Sequence, residues 1–364
     1  MVSGCRCTLC GAIVLAGCLL APHAAADSGP GTFSIVAYDS VTQELGVAVE
    51  SKYFAVGRVV PWAEASVGAV ATQANVNPSY GPKGLAMLRQ GIPPAEILRA
   101  LAAIDSSWDQ RQLGIVDARG RAASWTGPHC NSWAGGQVGA GFACQGNILA
   151  GPAVVERMAQ AFRSTRGELA ARLIAALEAG QGAGGDKRGQ QSAALIVVRP
   201  SRAHPEYAQR YVDLHVEDHP APIAELRRLW QIHESFHGAG AHLDLAEEYA
   251  ANGRPDLARL ERERVAETLA RALARGERDA SLLNGLAWAC ATHGLHLGDA
   301  LKAADRAAAL EPNSTDILDT QAEVHFRLGH ATQAIAIETR AAALDPGNAY
   351  LKAQLARFHG GRGR

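Results

Sequence analysis

The segment His233-Glu-Ser-Phe-His237 carries the spacing H-E-x-x-H. On a helix, histidines four residues apart share a face and can hold zinc, with Glu234 as general base. His242 offers a third ligand, one residue short of the extended form of that motif. Gly238 and Gly240 are expected to break the helix directly after the second histidine. The plainer reading, histidines capping or exposed at a helix end, ranks first. A metalloprotease needs its own scaffold, and the flanking regions leave little chain to build one. Other polar residues stand where chemistry could occur. Glu50, Ser51 and Lys52 end an apolar run, which read alone is a solvated hairpin end. Gln145, Gly146 and Asn147 fit a strand-to-helix turn with outward N–H groups, suited to an oxyanion hole, or a helix cap by Asn147. Asp186, Arg188 and Ser192 precede an apolar strand and could be a surface pair on a glycine-rich loop. Asn75, Asn77 and Tyr80 fit a pocket wall or a plain turn. Gly184-Gly-Asp-Lys187 lacks the ending of a phosphate-binding loop. No cofactor is expected.

These residues need elements to hold them. Phe33-Ser-Ile-Val-Ala-Tyr38 alternates, and Leu45–Val49 and Val67–Gln73 are short apolar runs, so all three read as strands. Helices are expected over 85–90 and, with proline in the first turn, 94–103. A hairpin follows, 113–117 and 122–126, then a strand over 142–147. Helices near 151–162 and 167–180 and strands over 193–198 and 211–216 complete a layered sheet domain of about 32–230.

Beyond Pro220, Ala, Leu, Glu and Arg recur at helical spacing. Leu283, Ala287 and Gly294 return 35 residues later as Leu318, Ala322 and Gly329; Ala300, Ala307 and Pro312 return 34 residues later as Ala334, Ala341 and Pro346. Small residues at close helix contacts, with proline closing each unit, resemble tetratricopeptide repeats. The array is expected over 240–359 and to lean on the first domain, since two clear units are too few alone.

The composition is globular: 48% hydrophobic, 20% charged, in 364 residues. A net charge of -1 gives no footprint for nucleic acid. Residues 1–26 read as a signal peptide: Arg6, an apolar run over 12–20 too short to span a membrane, then small residues before Asp27. Export to the periplasm or medium follows; the alternative is a lipoprotein anchored at Cys18, within Leu15-Ala-Gly-Cys18. Cys130 and Cys144 would then be a disulfide or two separate thiols.

Four segments together resemble a known family: Thr32-Phe-Ser-Ile-Val-Ala37; 46–57, Gly-Val-Ala-Val-Glu-Ser-Lys-Tyr-Phe-Ala-Val-Gly; 68–85, which includes Asn75-Val-Asn-Pro-Ser-Tyr80; and 145–151 with 185–194. They are similar to the domain-of-unknown-function family numbered 1028, which is grouped with N-terminal-nucleophile hydrolases. The resemblance implies an α/β (α+β) domain built as a four-layer αββα sandwich, and an amidohydrolase whose nucleophile is the first-strand residue, Thr32. Its own α-amine would serve as base. The resemblance further implies Lys52 beside the nucleophile, lowering the amine pKa. Gln145, Gly146 and Asn147 would stabilise the oxyanion, Asp186 and Ser192 would hold the amine, and Asn75, Asn77 and Tyr80 would line the pocket. Family members usually begin Met-Thr-Phe-Ser. Here residues 27–31 would remain ahead of Thr32 after signal cleavage, so a second cut at Gly31–Thr32 is needed. A catalytically silent scaffold is the alternative. The partner expected is a protein or peptide on the repeats, with a homo-oligomer also open.

Overall fold

A computed structural model describes Met1, residues 31–201 and residues 211–361. The expected signal segment beyond Met1, its cleavage point and Cys18 lie outside the described residues.

Two antiparallel sheets face each other. Their strands are β1 (Thr32–Tyr38), β2 (Leu45–Ser51), β3 (Pro61–Glu64), β4 (Gly68–Ala74), β5 (Arg111–Asp117), β6 (Ala122–Thr126), β7 (Gly135–Gly139), β8 (Phe142–Asn147), β9 (Ser192–Val198) and β10 (Val212–Val216). One sheet has the order β10-β9-β2-β1-β8-β7, the other β3-β4-β5-β6. β1 therefore lies inside the larger sheet, paired on one side with β2 (Thr32 opposite Ser51) and on the other with β8 (Thr32 opposite Asn147).

Side chains alternate along β1. Val36 joins Leu45, Val47, Val49, Ala69 and Val116 between the sheets. Phe33, Ile35 and Ala37 point the other way, into a core built with helices α3 (Ala153–Ser164) and α4 (Leu169–Gly182). Helices α1 (Tyr80–Arg89) and α2 (Pro94–Ala102) cover the outer face of the smaller sheet through Val70, Leu88, Ile97, Leu101 and Ile115. The order of layers is thus helix, sheet, sheet, helix.

The remaining helices are α5 (Pro222–His233), α6 (Ala239–Ala251), α7 (Pro255–Ala274), α8 (Ala280–Thr292), α9 (Leu297–Leu310), α10 (Thr315–Arg327), α11 (Ala331–Leu344) and α12 (Ala349–His359). Ile223, Leu226 and Trp230 of α5 join the core around α3 and α4, so this helix ties the array to the sheet domain. Ala287, Ala300, Ala303, Ala304 and Ala307 are buried where α8 and α9 meet. Ala322 and Ala334 repeat the contact between α10 and α11. Missing side-chain bulk at these sites lets helix axes approach closely.

Several expectations change. The chain does not break at Gly238 and Gly240: α5 passes into α6 through one π-turn, Glu234–Gly238. Gln145, Gly146 and Asn147 are not a strand-to-helix turn but the end of β8. The first helix begins at Tyr80, not at 85. β3 and β7 were not anticipated. Cys130 and Cys144 are separate free thiols. Cys144 is buried in the core under the helices, while the Cys130 Sγ donates to the Arg111 carbonyl at 3.4 Å. No described helix is long and apolar enough to cross a membrane.

Trp230→Ala should cost about 3–5 kcal/mol by emptying the seam between α5 and the sheet domain. Urea unfolding followed by circular dichroism measures it.

Candidate active site

Thr32 opens β1 on the face that looks between the sheets and is 2% exposed. Its Oγ1 lies 2.6 Å from the carbonyl oxygen of Gly31 and 3.0 Å from the Ser51 Oγ. Two further donors reach the same Gly31 carbonyl: the Ser51 hydroxyl and the Arg188 guanidinium, at 2.9 Å. The Gly31 carbonyl carbon, about 1.23 Å from its oxygen, is therefore no more than about 3.8 Å from the Thr32 Oγ1.

Asp186 locks the Arg188 side. Its carboxylate accepts from the Arg188 Nε at 3.0 Å and from the terminal nitrogen at 2.6 Å, a bidentate pair. It also accepts the Lys52 backbone N–H at 3.1 Å. Gly31 packs against this pair: an added Cβ would lie 2.6 Å from Asp186 Oδ2 and 2.8 Å from an Arg188 nitrogen, so a side chain there would displace it.

Below Thr32 a buried amide network crosses the gap between the sheets. Gln73 donates to the Thr32 carbonyl at 3.2 Å and to the Gln112 Oε1 at 2.9 Å. Ser34 donates to the Gln73 Oε1 at 2.5 Å, and Gln145 donates to Ser34 at 2.7 Å. Asn147 donates to the Gln112 Oε1 at 3.0 Å, and Gln112 to the Gly146 carbonyl at 2.8 Å. Each buried amide is useful only if paired, so the network fixes the register of β1, β4, β5 and β8 together. Ala74 (φ 65°) and Ile148 (φ 54°), directly after Gln73 and Asn147, sit in the left-handed region. For β-branched Ile148 that backbone is strained, and the strain flanks the site.

The expected site residues therefore divide. Thr32 lies at the Gly31–Thr32 peptide, and Asp186 reaches it through Arg188. Gln145 and Asn147 lie under it as network members; their side chains hold other side chains and do not face outward. Lys52 does not stand beside the nucleophile: its exposed ammonium donates to the Gln190 carbonyl at 3.2 Å, and Ser51 occupies that place. Ser192 donates to the Tyr53 carbonyl at 2.5 Å and accepts from the Val56 N–H at 3.0 Å, pinning the loop after β2. Tyr80 is buried on the far face of the smaller sheet, where its hydroxyl meets Asp105, so it lines no pocket with Thr32. Asn75 bonds Gln110 at 3.0 Å, and Asn77 accepts from Ser79. The small pocket at Thr32 is instead lined by Tyr53, Val56, Val60, Gln73, Ala74 and Val76. Gln73 and Gln112 were missed, and Ser51 was noted only beside Lys52, with no role of its own. Their one signal was a polar side chain at the buried end of an apolar run.

Glu50 points to the opposite face of β2 from Ser51. Both its carboxylate oxygens are buried without a hydrogen-bond partner among the described residues. Burial, then the nearby Asp186 charge, push its pKa well above the usual carboxylate range.

The H-E-x-x-H histidines do not assemble as a zinc set with His242. His237 is exposed, while His242 is fully buried and bonded to other residues. The His233 and His237 rings are 5.6 Å apart, but Glu234 turns inward to His242, 3.2 Å away.

The molecule is thus a layered two-sheet domain with a threonine-centred polar site, fused to tandem helix pairs of the tetratricopeptide type. The chain belongs to the family of unknown function DUF1028, which matches residues 32–226. It is similar to the crystal structure of protein SPO2555 from Silicibacter pomeroyi, of the same family. That match has 32% identity over 56% of this chain and 86% of the other, with a TM-score of 0.51. The helical part matches the first TPR domain of the human RPAP3 protein at 18% identity, over 34% of this chain and 92% of that one, TM-score 0.25. It also matches PilF of Pseudomonas aeruginosa at 18% identity, over 37% and 59%, TM-score 0.24. No curated protein matches the sequence. The repeat assignment rests on the internal spacing and on the helix pairing described above.

The Glu50 shift has a definite sign. A carboxyl whose folded pKa is raised binds its proton more tightly in the folded state, so stability falls as pH climbs above the unfolded value. Urea midpoints should drop as pH rises above the unfolded carboxyl value of 4.5, and Glu50→Gln should flatten that drop.

Proposed function

We propose that the protein is an exported amidohydrolase of the N-terminal-nucleophile type, with Thr32 as nucleophile and the αββα sandwich of that class as its scaffold. One observation carries the reading. The Thr32 hydroxyl and two hydrogen-bond donors, Ser51 and Arg188, meet on one carbonyl, that of Gly31. This is the grouping an acyl-transfer site needs: a hydroxyl beside the carbonyl, and donors on the oxygen where negative charge develops.

The Gly31–Thr32 peptide then acts as the first substrate. Thr32 Oγ1 adds to the Gly31 carbon while Ser51, 3.0 Å away, relays the hydroxyl proton. Ser51 and Arg188 hold the resulting oxyanion. The C–N bond breaks, the Thr32 nitrogen takes the proton, and an ester joins Gly31 to Thr32. Water hydrolyses the ester, releasing the Gly31 carboxylate and leaving Thr32 with a free amine. That amine becomes the base for the next acyl group, whose carbonyl takes the position of Gly31. Lys52 has no step here. Asp186 acts by aiming Arg188, and the amide network holds β1 still.

In this reading the repeats recruit the partner or the peptide to be cut. A groove of about 460 Å³ between α6 and α8, lined by Gly240, Leu243, Asp244, Gly285, Trp288 and His293, is where such a segment would lie. The second reading, a silent binding protein, is favoured by the smallness and apolar lining of the pocket at Thr32 compared with this groove. A threonine-directed electrophile such as an epoxyketone separates the two. The processed enzyme should be labelled once, at Thr32. Thr32→Ala should lose labelling, and amide hydrolysis should fall by roughly a thousandfold or more. Processed protein that takes no label and cuts no peptide from a diverse library would leave the silent reading standing.

A further inference from the structure

At the seam between the two domains, Glu168, Glu234 and His242 bring one ligand atom each to within 4.8 Å of one another, all three residues buried. They come from three different places: the residue before α4, the π-turn and α6. We propose that these residues form a binding site for one divalent transition-metal ion, of the zinc or manganese class, that clamps the helical array to the sheet domain.

The spacing of the ligand atoms fits such an ion. The Glu234 Oε2 and His242 Nε2 are 3.2 Å apart. Two ligands on a tetrahedral ion, each about 2.0–2.1 Å from it, are separated by about 3.3 Å. The posture of the imidazole fits it as well. The His242 Nδ1 lies 2.6 Å from the Glu261 Oε2, and the Glu261 carboxylate is itself held by Arg264 at 3.0 Å. A carboxylate on one ring nitrogen fixes the tautomer and presents the other nitrogen to a metal. The Tyr211 hydroxyl, 3.2 Å from the Nε2, stands at the edge of the same space.

One ligand group has no other use. The Glu168 Oε2 is buried and has no hydrogen-bond partner among the described residues, on a residue only 7% exposed. A lone carboxylate oxygen taken out of water is costly unless a cation meets it or a proton neutralises it. The Glu234 Oε1 has only the His233 Nδ1 beside it, at 3.5 Å. Charge points the same way. Glu44, Glu168, Glu234 and Glu261 act on one another here, against the guanidiniums of Arg199 and Arg264. Carboxylates outnumber guanidiniums here, an excess of negative charge that a divalent cation offsets.

The site also has entrances. Glu234 lines a cavity of about 630 Å³ and Glu168 another of about 490 Å³. One carboxylate-rich set with a single imidazole suits zinc or manganese better than a thiolate-seeking ion. The H-E-x-x-H segment thus contributes its glutamate as a ligand, not its histidines.

The test uses the full chain, stripped with EDTA and titrated with ZnCl2 or MnCl2 by calorimetry. One equivalent per chain is expected, with a rise in melting temperature on binding. Glu168→Gln should weaken the affinity by at least roughly tenfold, whereas His237→Ala should leave it unchanged. X-ray absorption on the loaded wild type should report one imidazole among oxygen donors, and this decides the matter even if Glu168→Gln fails to fold. Absence of stoichiometric binding in the folded wild type overturns the site. So does loss of binding in His237→Ala, or a shell with two imidazoles.

Discussion

The Thr32 site depends on β1 lying inside the larger sheet. Pairing with β2 and β8 fixes the main chain on both sides, and alternation then leaves each side chain one face. Thr32 and Ser34 must look into the gap between the sheets, where Phe33 and Ile35 cannot. A hydroxyl at the first position of such a strand is rigid and shielded from water. A slip of one residue would put Phe33 in the gap and bury Thr32 under α4. The amide network of Gln73, Gln112, Gln145 and Asn147 resists that slip, because moving any member leaves buried donors unpaired.

The same logic of burial governs the seam. Apolar packing by Ile223, Leu226 and Trp230 brings α5 against the sheet domain. Once it is there, Glu234, His242 and Glu261 have no water and must satisfy one another. Removing one partner of such a set is strongly destabilising, because it strands the others. The helical array is thereby held against the domain that carries Thr32, at the turn between β1 and β2, the end of β1 opposite Thr32.

How much of this was legible follows from what each residue answers to. β1, β2 and β8 were readable because their apolar pattern is local and strong. β7, Gly135-Gly-Gln-Val-Gly139, was not: glycine has little strand preference, and only its pairing with β8 makes it a strand. Gly238 and Gly240 looked like helix breakers because helix propensity is a weak prior. Buried contacts of Glu234 and His242 on either side keep the chain helical through a π-turn. Thr32 and Asp186 were reached through family resemblance; in the structure they are linked only through Arg188 and the Gly31 carbonyl. Lys52 was one position off, since alternation puts Ser51, not its neighbour, on the face of Thr32. Gln73 and Gln112 could not be read as partners at all. They lie on neighbouring strands, and only the register of two stacked sheets brings them under Thr32.

The central claim is that the chain frees its own nucleophile. Its most direct test is the N-terminal sequence and intact mass of the full precursor after expression in a Gram-negative periplasm, wild type beside Arg188→Met. The account predicts a wild-type chain that begins at Thr32, and an Arg188→Met chain that keeps Gly31. A folded wild-type chain that still carries Gly31 after prolonged incubation would contradict it.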